Sequence, residues 1–263
     1  MLVILLSGEL EAVSPMSYSF KRIKMKKLLY HLVLLWGYVF HHNTKSKVLY
    51  YHDISTEYTK QGTSKQLMRS HFEEIRRLGF MIVKNISSPK RQVQICFDDG
   101  WAGLYENKDF FIKEGVFPLT FIIISRIGTN GYLTIDQIKE LDDLGFQFGS
   151  HTWSHKYLSK FDDDGLKHEI VDSKVYLERL LGHSCESICF PMGDYSDRVL
   201  KFCKEAGYKD VYSSIRAPYD CNMGAGVICR NLIQDSTNVE LKCILKGYSP
   251  ILRNKDTKRE YKA

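Results

Sequence analysis

Val93-Gln94-Ile95-Cys96-Phe97-Asp98-Asp99-Gly100 joins a short apolar run to two carboxylates and a glycine. The run Val93–Phe97 predicts a buried strand. In a parallel α/β barrel the carboxyl ends of the strands face the functional site, so Asp98 and Asp99 are candidate functional residues. Side chains that follow each other at a strand end diverge, which allows one carboxylate to bind a metal ion while the other acts as a base. A polar surface turn is the alternative interpretation of these residues.

Strands and helices are predicted to alternate on both sides of this run. Val48–Tyr51 is a short apolar strand, and Ser64 is the expected N-cap of a helix that ends at Gly79. Further strands are predicted at residues 119–124, 146–149, 188–190, 211–214 and 227–230, and further helices at 105–113, 134–144, 164–181 and 195–206. About seven such units predict a parallel sheet that closes, or nearly closes, into a barrel. No linker or low-complexity tract divides this body.

The net charge of +6 belongs to the two ends of the chain. Residues 1–47 carry seven basic and two acidic side chains, and residues 247–263 carry five basic and two acidic ones. Of the 37 basic and 31 acidic side chains in the whole sequence, 25 and 27 therefore remain for residues 48–246. A nucleic-acid-binding domain needs a basic face on the fold itself, so the charge distribution argues against that class and against a nucleic-acid partner.

The seven cysteines predict a reducing compartment, which we interpret as the cytoplasm. Their number is odd, and they contain no pair separated by two residues. A metal cluster is the alternative use of four of them, but their spacings match no structural zinc pattern. The four are Cys185, Cys189, Cys221 and Cys229.

Residues 1–46 form a basic and apolar N-terminal segment. The basic stretch Lys21–Lys27 precedes the apolar stretch Leu28–Phe40, whose 13 residues are fewer than the roughly 20 that span a bilayer. No small-residue cleavage site follows. Two interpretations remain open: peripheral association with the inner face of an anionic membrane, as an uncleaved anchor or an amphipathic helix, and a helix packed on the domain. Residues 247–263 are interpreted as a basic C-terminal tail.

A second polar group, Ser150-His151-Thr152-Trp153-Ser154-His155, follows the predicted strand at 146–149. Two histidines four residues apart meet on one face if the segment is helical. Imidazole nitrogens suit zinc and other divalent transition metals. One carboxylate and two histidines would supply three ligands and leave one position for water, as in catalytic metal sites. Two solvated loop histidines are the alternative.

Three ordered motifs resemble those of the NodB-like polysaccharide deacetylases. They are Phe97-Asp98-Asp99-Gly100, His151-Thr152-Trp153-Ser154-His155 and Phe190-Pro191-Met192-Gly193. The resemblance covers roughly residues 48–235, and Val48-Leu49-Tyr50-Tyr51-His52 is similar to the opening strand of the subgroup that deacetylates poly-N-acetylglucosamine. It implies an α/β fold, a distorted (β/α)7 barrel, as a single catalytic domain at residues 47–246.

The resemblance also implies a hydrolase that acts on carbon–nitrogen bonds other than peptide bonds. A divalent metal, usually zinc, would activate the water that removes an N-acetyl group from a sugar or polysaccharide. Carried over, the metal ligands are Asp99, His151 and His155, the general base is Asp98, and the backbone N–H of Met192 completes the oxyanion site. Pro191 and Gly193 would shape that loop and contact the substrate. Trp153 either stacks on a sugar ring or packs the loop.

This sequence departs from the family pattern in two places. Many members have an arginine where Cys189 stands, and it holds the base carboxylate. Arg230 resembles a late-strand arginine of the poly-N-acetylglucosamine subgroup and is the candidate for that role, with a surface arginine as the alternative. The family's late histidine, which acts as the general acid, is not visible. His52 is the substitute candidate, and a structural histidine is the other interpretation.

Two rival functions remain open. The same fold and metal chemistry serve an amidase for another non-peptide C–N bond. The missing late histidine also fits a non-catalytic metal-binding or carbohydrate-binding protein, since a fold does not guarantee a function.

Overall fold

The computed structural model describes residues 43–54, 62–220 and 226–247. The interpretations of residues 1–42, of Cys221 and of the tail beyond residue 247 lie outside the described residues and stay predictions. Within the described ranges, no helix is both long enough and apolar enough to span a bilayer.

Strands and helices alternate along the described chain, as predicted. The strands are β1 (Lys47–Tyr51), β2 (Met81–Val83), β3 (Gln92–Phe97), β4 (Leu119–Ile122), β5 (Gln147–Ser150), β6 (Ser187–Cys189), β7 (Asp210–Tyr212) and β8 (Arg230–Leu232). The α-helices are Lys65–Arg77, Gly103–Glu106, Lys108–Glu114, Ile135–Asp143, Asp163–Leu166, Ser173–Leu181, Asp197–Glu205 and Asn238–Leu245. A π-helical segment, Lys167–Asp172, connects two of these helices.

The sheet is a nearly closed parallel barrel. Its strand order is β7-β6-β5-β4-β3-β1-β8, and β2 pairs with the first half of β3 outside this path. A parallel bridge between Tyr212 and Ile228 joins the two ends of the order, and the Ser213 N–H donates to the Ile228 carbonyl at 3.0 Å. Seven strands thus form the ring, which confirms the predicted (β/α)7 barrel.

Alternate residues of the barrel strands belong to two separate apolar cores. Tyr50 and Cys96 lie in the smaller core together with Phe121, whereas Leu49 and Ile95 pack in the larger core that the helices cover. Strand side chains alternate between faces, so the smaller core is the interior of the barrel. Asp98 follows Cys96 by two residues and therefore points toward that interior, where it is buried.

Helix caps anticipated from the sequence are present. The Ser64 side chain accepts a hydrogen bond from the Leu67 N–H, and Thr134 forms a capping box with Gln137. Each cap satisfies N–H groups that have no partner inside the helix. The helix Lys65–Arg77 then buries one apolar face against the barrel.

Several predicted boundaries are wrong for local reasons. The strand predicted at 119–124 ends at Ile122, because a 3₁₀ turn begins at Ile124. The helix predicted at 105–113 is divided at Asn107, whose side-chain amide donates to the Gly103 carbonyl and competes with the helical ladder. The strand predicted at 227–230 starts only at Arg230. The helix Asn238–Leu245 was not predicted.

Candidate metal centre and catalytic carboxylate

The candidate site lies where β3 and β5 end. Asp98 and Asp99 follow β3 directly, and His151 follows β5. Asp99 has a left-handed backbone with a φ of 73°, which is uncommon for a residue other than glycine. The two carboxylates differ in their nearest partners, although His151 Nε2 lies 4.0 Å from Asp98 Oδ2 and 3.6 Å from Asp99 Oδ1.

Asp99, His151 and His155 come together as three candidate metal ligands. The Asp99 Oδ1 atom lies 3.6 Å from His151 Nε2 and 3.5 Å from His155 Nε2. Tetrahedral metal–ligand bonds of about 2.0–2.1 Å place ligand atoms roughly 3.3–3.4 Å apart, close to these separations. Asp99 Oδ1 is also buried without a hydrogen-bond partner in the described structure. The three residues therefore fit a divalent ion.

Two further groups orient these ligands. The Trp101 indole N–H donates to Asp99 Oδ2 at 3.2 Å, which leaves Oδ1 for the ion. His151 Nδ1 lies 2.8 Å from the Cys189 carbonyl, which only accepts, so Nδ1 carries the proton and Nε2 keeps its lone pair. Burial lowers the pKa of His151 to about 4, so its imidazole is neutral near pH 7. Such outer contacts typically fix the tautomer and direction of a metal ligand.

The histidine segment is not helical, which corrects the conditional expectation from the spacing. Residues 151–157 form a loop in which Thr152 and His155 have left-handed backbones, with φ values of 65° and 58°. The His155 N–H donates to the Thr152 hydroxyl oxygen at 3.2 Å. A tight turn, rather than a helix face, brings the two imidazoles within 4.6 Å of each other, measured between ring centroids.

Asp98 is held by Arg230 across the barrel interior. Arg230 Nη1 and Nη2 donate to the two Asp98 carboxylate oxygens at 2.7 and 2.8 Å. Burial raises the pKa of Asp98, but Arg230, His151 and His52 together lower it more, to about 2. The Asp98 carboxylate is therefore ionised and oriented near pH 7.

Arg230 has further contacts in the barrel interior besides Asp98. Arg230 is fully buried; its Nε donates to the Ser213 carbonyl, and its guanidinium lies 4.3 Å from the Tyr50 ring centroid. The Cys189 sulfur contacts Arg230 Nη2. Many family members have arginine at the position of Cys189. Here the arginine beside Asp98 comes from β8 instead, and the smaller Cys189 side chain lies next to it.

We expect Arg230→Met to destabilise the protein by about 3–5 kcal/mol, because it leaves the Asp98 carboxylate buried without its partner. Urea unfolding of the metal-free protein measures this change. Arg198→Met is the matched control: its ion pair with Asp163 is largely exposed and should be worth no more than about 1 kcal/mol. Adding Asp98→Asn to Arg230→Met should recover part of the loss. A loss for Arg230→Met no larger than that of the control would contradict the structural role of the pair.

Two groups of candidate metal ligands occur in the described residues, and they share His151. The first is the set of Asp99, His151 and His155. In the second, which joins His151 to Asp98 and Cys189, Arg230 already occupies both carboxylate oxygens. Burial also raises the pKa of the Cys189 thiol well above its usual value, so it stays protonated. The first group is therefore the better site.

The alternative cysteine cluster does not assemble in the described part of the chain. Cys185, Cys189 and Cys229 are buried, and among the described residues no group of metal-ligating atoms contains all three.

The loop after β6 presents Met192 in an unusual conformation. Its backbone is left-handed, with a φ of 53°, and its side chain is 37% exposed. Pro191 is buried, and the Gly193 N–H donates to the Phe190 carbonyl at 3.1 Å. Among the described residues, nothing accepts a hydrogen bond from the Met192 N–H. This N–H remains a candidate oxyanion donor.

His52 and Trp153 have partners that constrain their predicted roles. His52 Nδ1 lies 2.6 Å from Gln234 Oε1, so Nδ1 donates to this amide oxygen and Nε2 takes no part in the bond. Trp153 lies between His168 and Tyr176, with ring centroids 4.5 and 5.8 Å away. These ring contacts are typical of a side chain that packs the loop. Stacking of Trp153 on a sugar ring remains a prediction.

Three residues around the site were not identified from the sequence: Trp101, Glu169 and Gln234. An indole directly after the two aspartates and Gly100 is a signal that could have pointed to Trp101. Glu169 and Gln234 are distant in sequence from the residues they contact, and no local pattern distinguishes them from other polar side chains.

The fold and the site define a parallel barrel protein with a candidate Asp-His-His metal centre at its strand ends. Residues 85–211 match the sequence pattern of the polysaccharide deacetylase family. The matched segment contains all three motifs and confirms the resemblance to this family that they predicted.

Relatives that are named as deacetylases support the same family resemblance. The chain is 28% identical over 181 residues to a peptidoglycan-N-acetylglucosamine deacetylase of Bacillus cereus, a match that covers 66% of this chain and 81% of the relative. It is 31% identical over 162 residues to a poly-β-1,6-N-acetyl-D-glucosamine N-deacetylase of Staphylococcus aureus, covering 56% of each. A Bacillus subtilis relative is covered over 63% of its length. The chain thus spans only part of these relatives.

Solved structures show the same fold. The Streptococcus pyogenes deacetylase PplD, determined with acetate, superposes with a TM-score of 0.66 at 22% identity, covering 75% of this chain and 96% of PplD. IcaB from Ammonifex degensii gives a TM-score of 0.64 at 18% identity, covering 78% and 99%.

Proposed function

We propose that the chain is a metal-dependent hydrolase that removes N-acetyl groups from an N-acetylated sugar or polysaccharide. The observation that carries this proposal is that two adjacent carboxylates have different bonding partners, which suit them to different chemical roles. Asp99 faces two imidazoles, whereas Asp98 is ionised and bound by Arg230. The relatives from Bacillus cereus and Staphylococcus aureus are named for deacetylation of N-acetylglucosamine glycans, which supports the same substrate class.

Asp99, His151 and His155 would hold the ion, which we propose to be zinc. One carboxylate and two imidazoles form a ligand set of catalytic zinc sites, although cobalt, nickel and iron accept the same donors. When bound, the ion supplies Lewis acidity, which polarises an amide carbonyl and makes water more acidic.

The protein's own groups would carry the proton transfers. The ionised Asp98 carboxylate would accept a proton from the attacking water, and Arg230 would keep the carboxylate aimed. The Met192 N–H would donate to the acetyl oxygen as that oxygen gains negative charge.

In the balanced reaction, the water oxygen bonds to the acetyl carbon, the C–N bond breaks, and acetate and an amine are released. The amine must gain a proton as it leaves. His52 is our candidate donor, because it directly follows β1 at the rim of the barrel where Asp98 follows β3.

We expect the zinc-loaded chain to release acetate from N-acetylglucosamine oligomers, with Asp98→Asn as the inactive control. Hydrolysis of this amide yields acetate and a sugar amine, so ammonia release is measured in parallel with a ureide as the substrate. Ammonia from the ureide and no acetate from the oligomers would favour an amidase for another C–N bond. Bound metal and bound glycan with no acetate after hours would favour a binding protein. Either result would overturn the proposal.

A further inference from the structure

One buried carboxylate holds the loop between the two ligand histidines. Glu169 Oε2 accepts hydrogen bonds from the Trp153 N–H at 3.1 Å and the Ser154 N–H at 2.9 Å. Glu169 Oε1 accepts one from the Ser154 hydroxyl at 2.5 Å. Three donors from two consecutive loop residues therefore meet on one side chain, and both residues lie between His151 and His155.

Glu169 is 2% exposed, and in the described residues it forms no ion pair with a basic side chain. Buried carboxylates are rare unless hydrogen bonds replace the lost water. Here the three loop donors supply that replacement. The loop and the carboxylate thus stabilise each other.

A π-helical segment, Lys167–Asp172, carries Glu169. The Ile170 carbonyl in this segment accepts hydrogen bonds from the Ser173 hydroxyl and the Tyr208 hydroxyl, each at 3.1 Å. These side chains satisfy a carbonyl that the wider π turn leaves available. Such π-helical turns are frequent at functional sites, because the extra residue changes the direction of a side chain.

The opposite side of the loop has its own anchor. The Ile124 N–H donates to the Thr152 carbonyl at 3.2 Å, and the Ser125 N–H donates to the Trp153 carbonyl at 2.9 Å. These bonds are independent of Glu169. Loss of the carboxylate therefore leaves the loop attached by its carbonyls but releases its N–H groups.

Backbone strain at both ends of this loop makes the release consequential for the ligands. Thr152 and His155 both adopt left-handed conformations, which side chains other than glycine rarely adopt unless the surroundings hold them. If the N–H groups of Trp153 and Ser154 lose their acceptor, the loop can relax toward ordinary backbone angles. The His155 imidazole would then move relative to His151 and Asp99.

We propose that Glu169 is a positioning residue that sets the metal affinity of the Asp99, His151 and His155 site. This inference rests on the metal centre of the proposed function but not on the identity of the substrate. Glu169 acts through the loop backbone and does not itself contact the ion's ligand atoms.

The test is titration of the metal-free protein with Co²⁺, followed by the visible absorption of the bound ion. We expect Glu169→Ala to weaken Co²⁺ binding by about 10–100-fold, as is typical when an outer partner of a metal site is lost. Glu169→Gln should weaken it less, because an amide oxygen can still accept the two backbone N–H groups and the amide N–H can donate to the Ser154 oxygen. Asp172→Ala is the matched control: it removes an exposed carboxylate from the same π segment and should leave the affinity unchanged.

A purely structural role gives a different result. The thermal midpoint of the metal-free protein would then fall while the Co²⁺ affinity of the folded fraction stayed at the wild-type value, and this outcome overturns the inference. If Glu169→Ala does not fold, Glu169→Asp is the test variant. Aspartate keeps the charge, but its side chain is too short to reach all three donors. Wild-type affinity in the folded Asp variant overturns the inference as well.

Failure of the proposed function is recognised separately. A wild-type chain that binds Co²⁺ but releases no acetate removes the proposed activity and leaves the role of Glu169 standing. A wild-type chain that binds no Co²⁺ removes the metal centre and this inference with it.

Discussion

His151→Ala is expected to abolish stable metal binding and, with it, turnover. His151 is the most enclosed of the three candidate ligands: it is 2% exposed, and its Nδ1 atom is hydrogen-bonded to the Cys189 carbonyl. Loss of an outer partner alone costs roughly 10–100-fold in metal affinity, so loss of a ligand that contacts the ion directly should exceed this range. Asp99→Ala and His155→Ala should lose metal in the same way.

Metal content after dialysis against a weak chelator measures this prediction. His183→Ala is the control, because His183 is exposed and paired with Asp142 outside the site. Its metal content should equal that of the wild type. The thermal midpoint of each metal-free variant shows whether the fold survives. Full metal occupancy in the folded His151→Ala or His155→Ala variant would contradict the assignment of these histidines as metal ligands.

Asp98→Asn is expected to keep the metal and lose turnover by about 10²–10⁴-fold, the usual contribution of a positioned acid or base. The carboxylate accepts two hydrogen bonds from Arg230 and is ionised, because the arginine outweighs the effect of burial on its pKa. An asparagine of nearly the same shape keeps one acceptor for the guanidinium but cannot take up a proton from water at neutral pH.

The substitution also leaves the Arg230 charge without its partner, so stability must be measured beside activity. Asp194→Asn serves as a control for the same chemical change, since Asp194 follows the Met192 loop and accepts a hydrogen bond from the Ser159 N–H. Acetate release and bound metal are compared at a temperature where all variants are folded. Turnover of Asp98→Asn within tenfold of the wild type would show that another group is the base.

Much of the site could be predicted from the sequence because its signals are local. The two aspartates directly follow an apolar strand, and the two histidines directly follow another. Since all strands of a parallel barrel end at the same rim, strand-end placement predicts their convergence, although β4 lies between β3 and β5. The resemblance to a known family then supplied the roles of these residues.

The rest depends on contacts between residues that are far apart in the chain. Asp98 and Arg230 are separated by 132 positions, and His52 and Gln234 by 182. No periodicity or spacing connects such pairs, so the role of Arg230 was only a candidate at the sequence level. The condition that a helix face joins the histidines is not met for a related reason: the N–H groups of Ser154 and His155 donate to Glu169 and Thr152 and stabilise a tight turn.

The sequence by itself determined the order of strands and helices, the rim that carries the chemistry, and the side chains able to bind a metal ion. These properties follow from apolar patterning, capping residues and strand-end motifs, all of which act over a few neighbouring positions. Only the tertiary structure decided between a surface arginine and a buried partner of Asp98 for Arg230, and only it revealed the glutamate that supports the loop. The pairing of β8 with β1 brings Arg230 to Asp98, and packing of the π segment on the histidine loop brings Glu169 to the loop N–H groups.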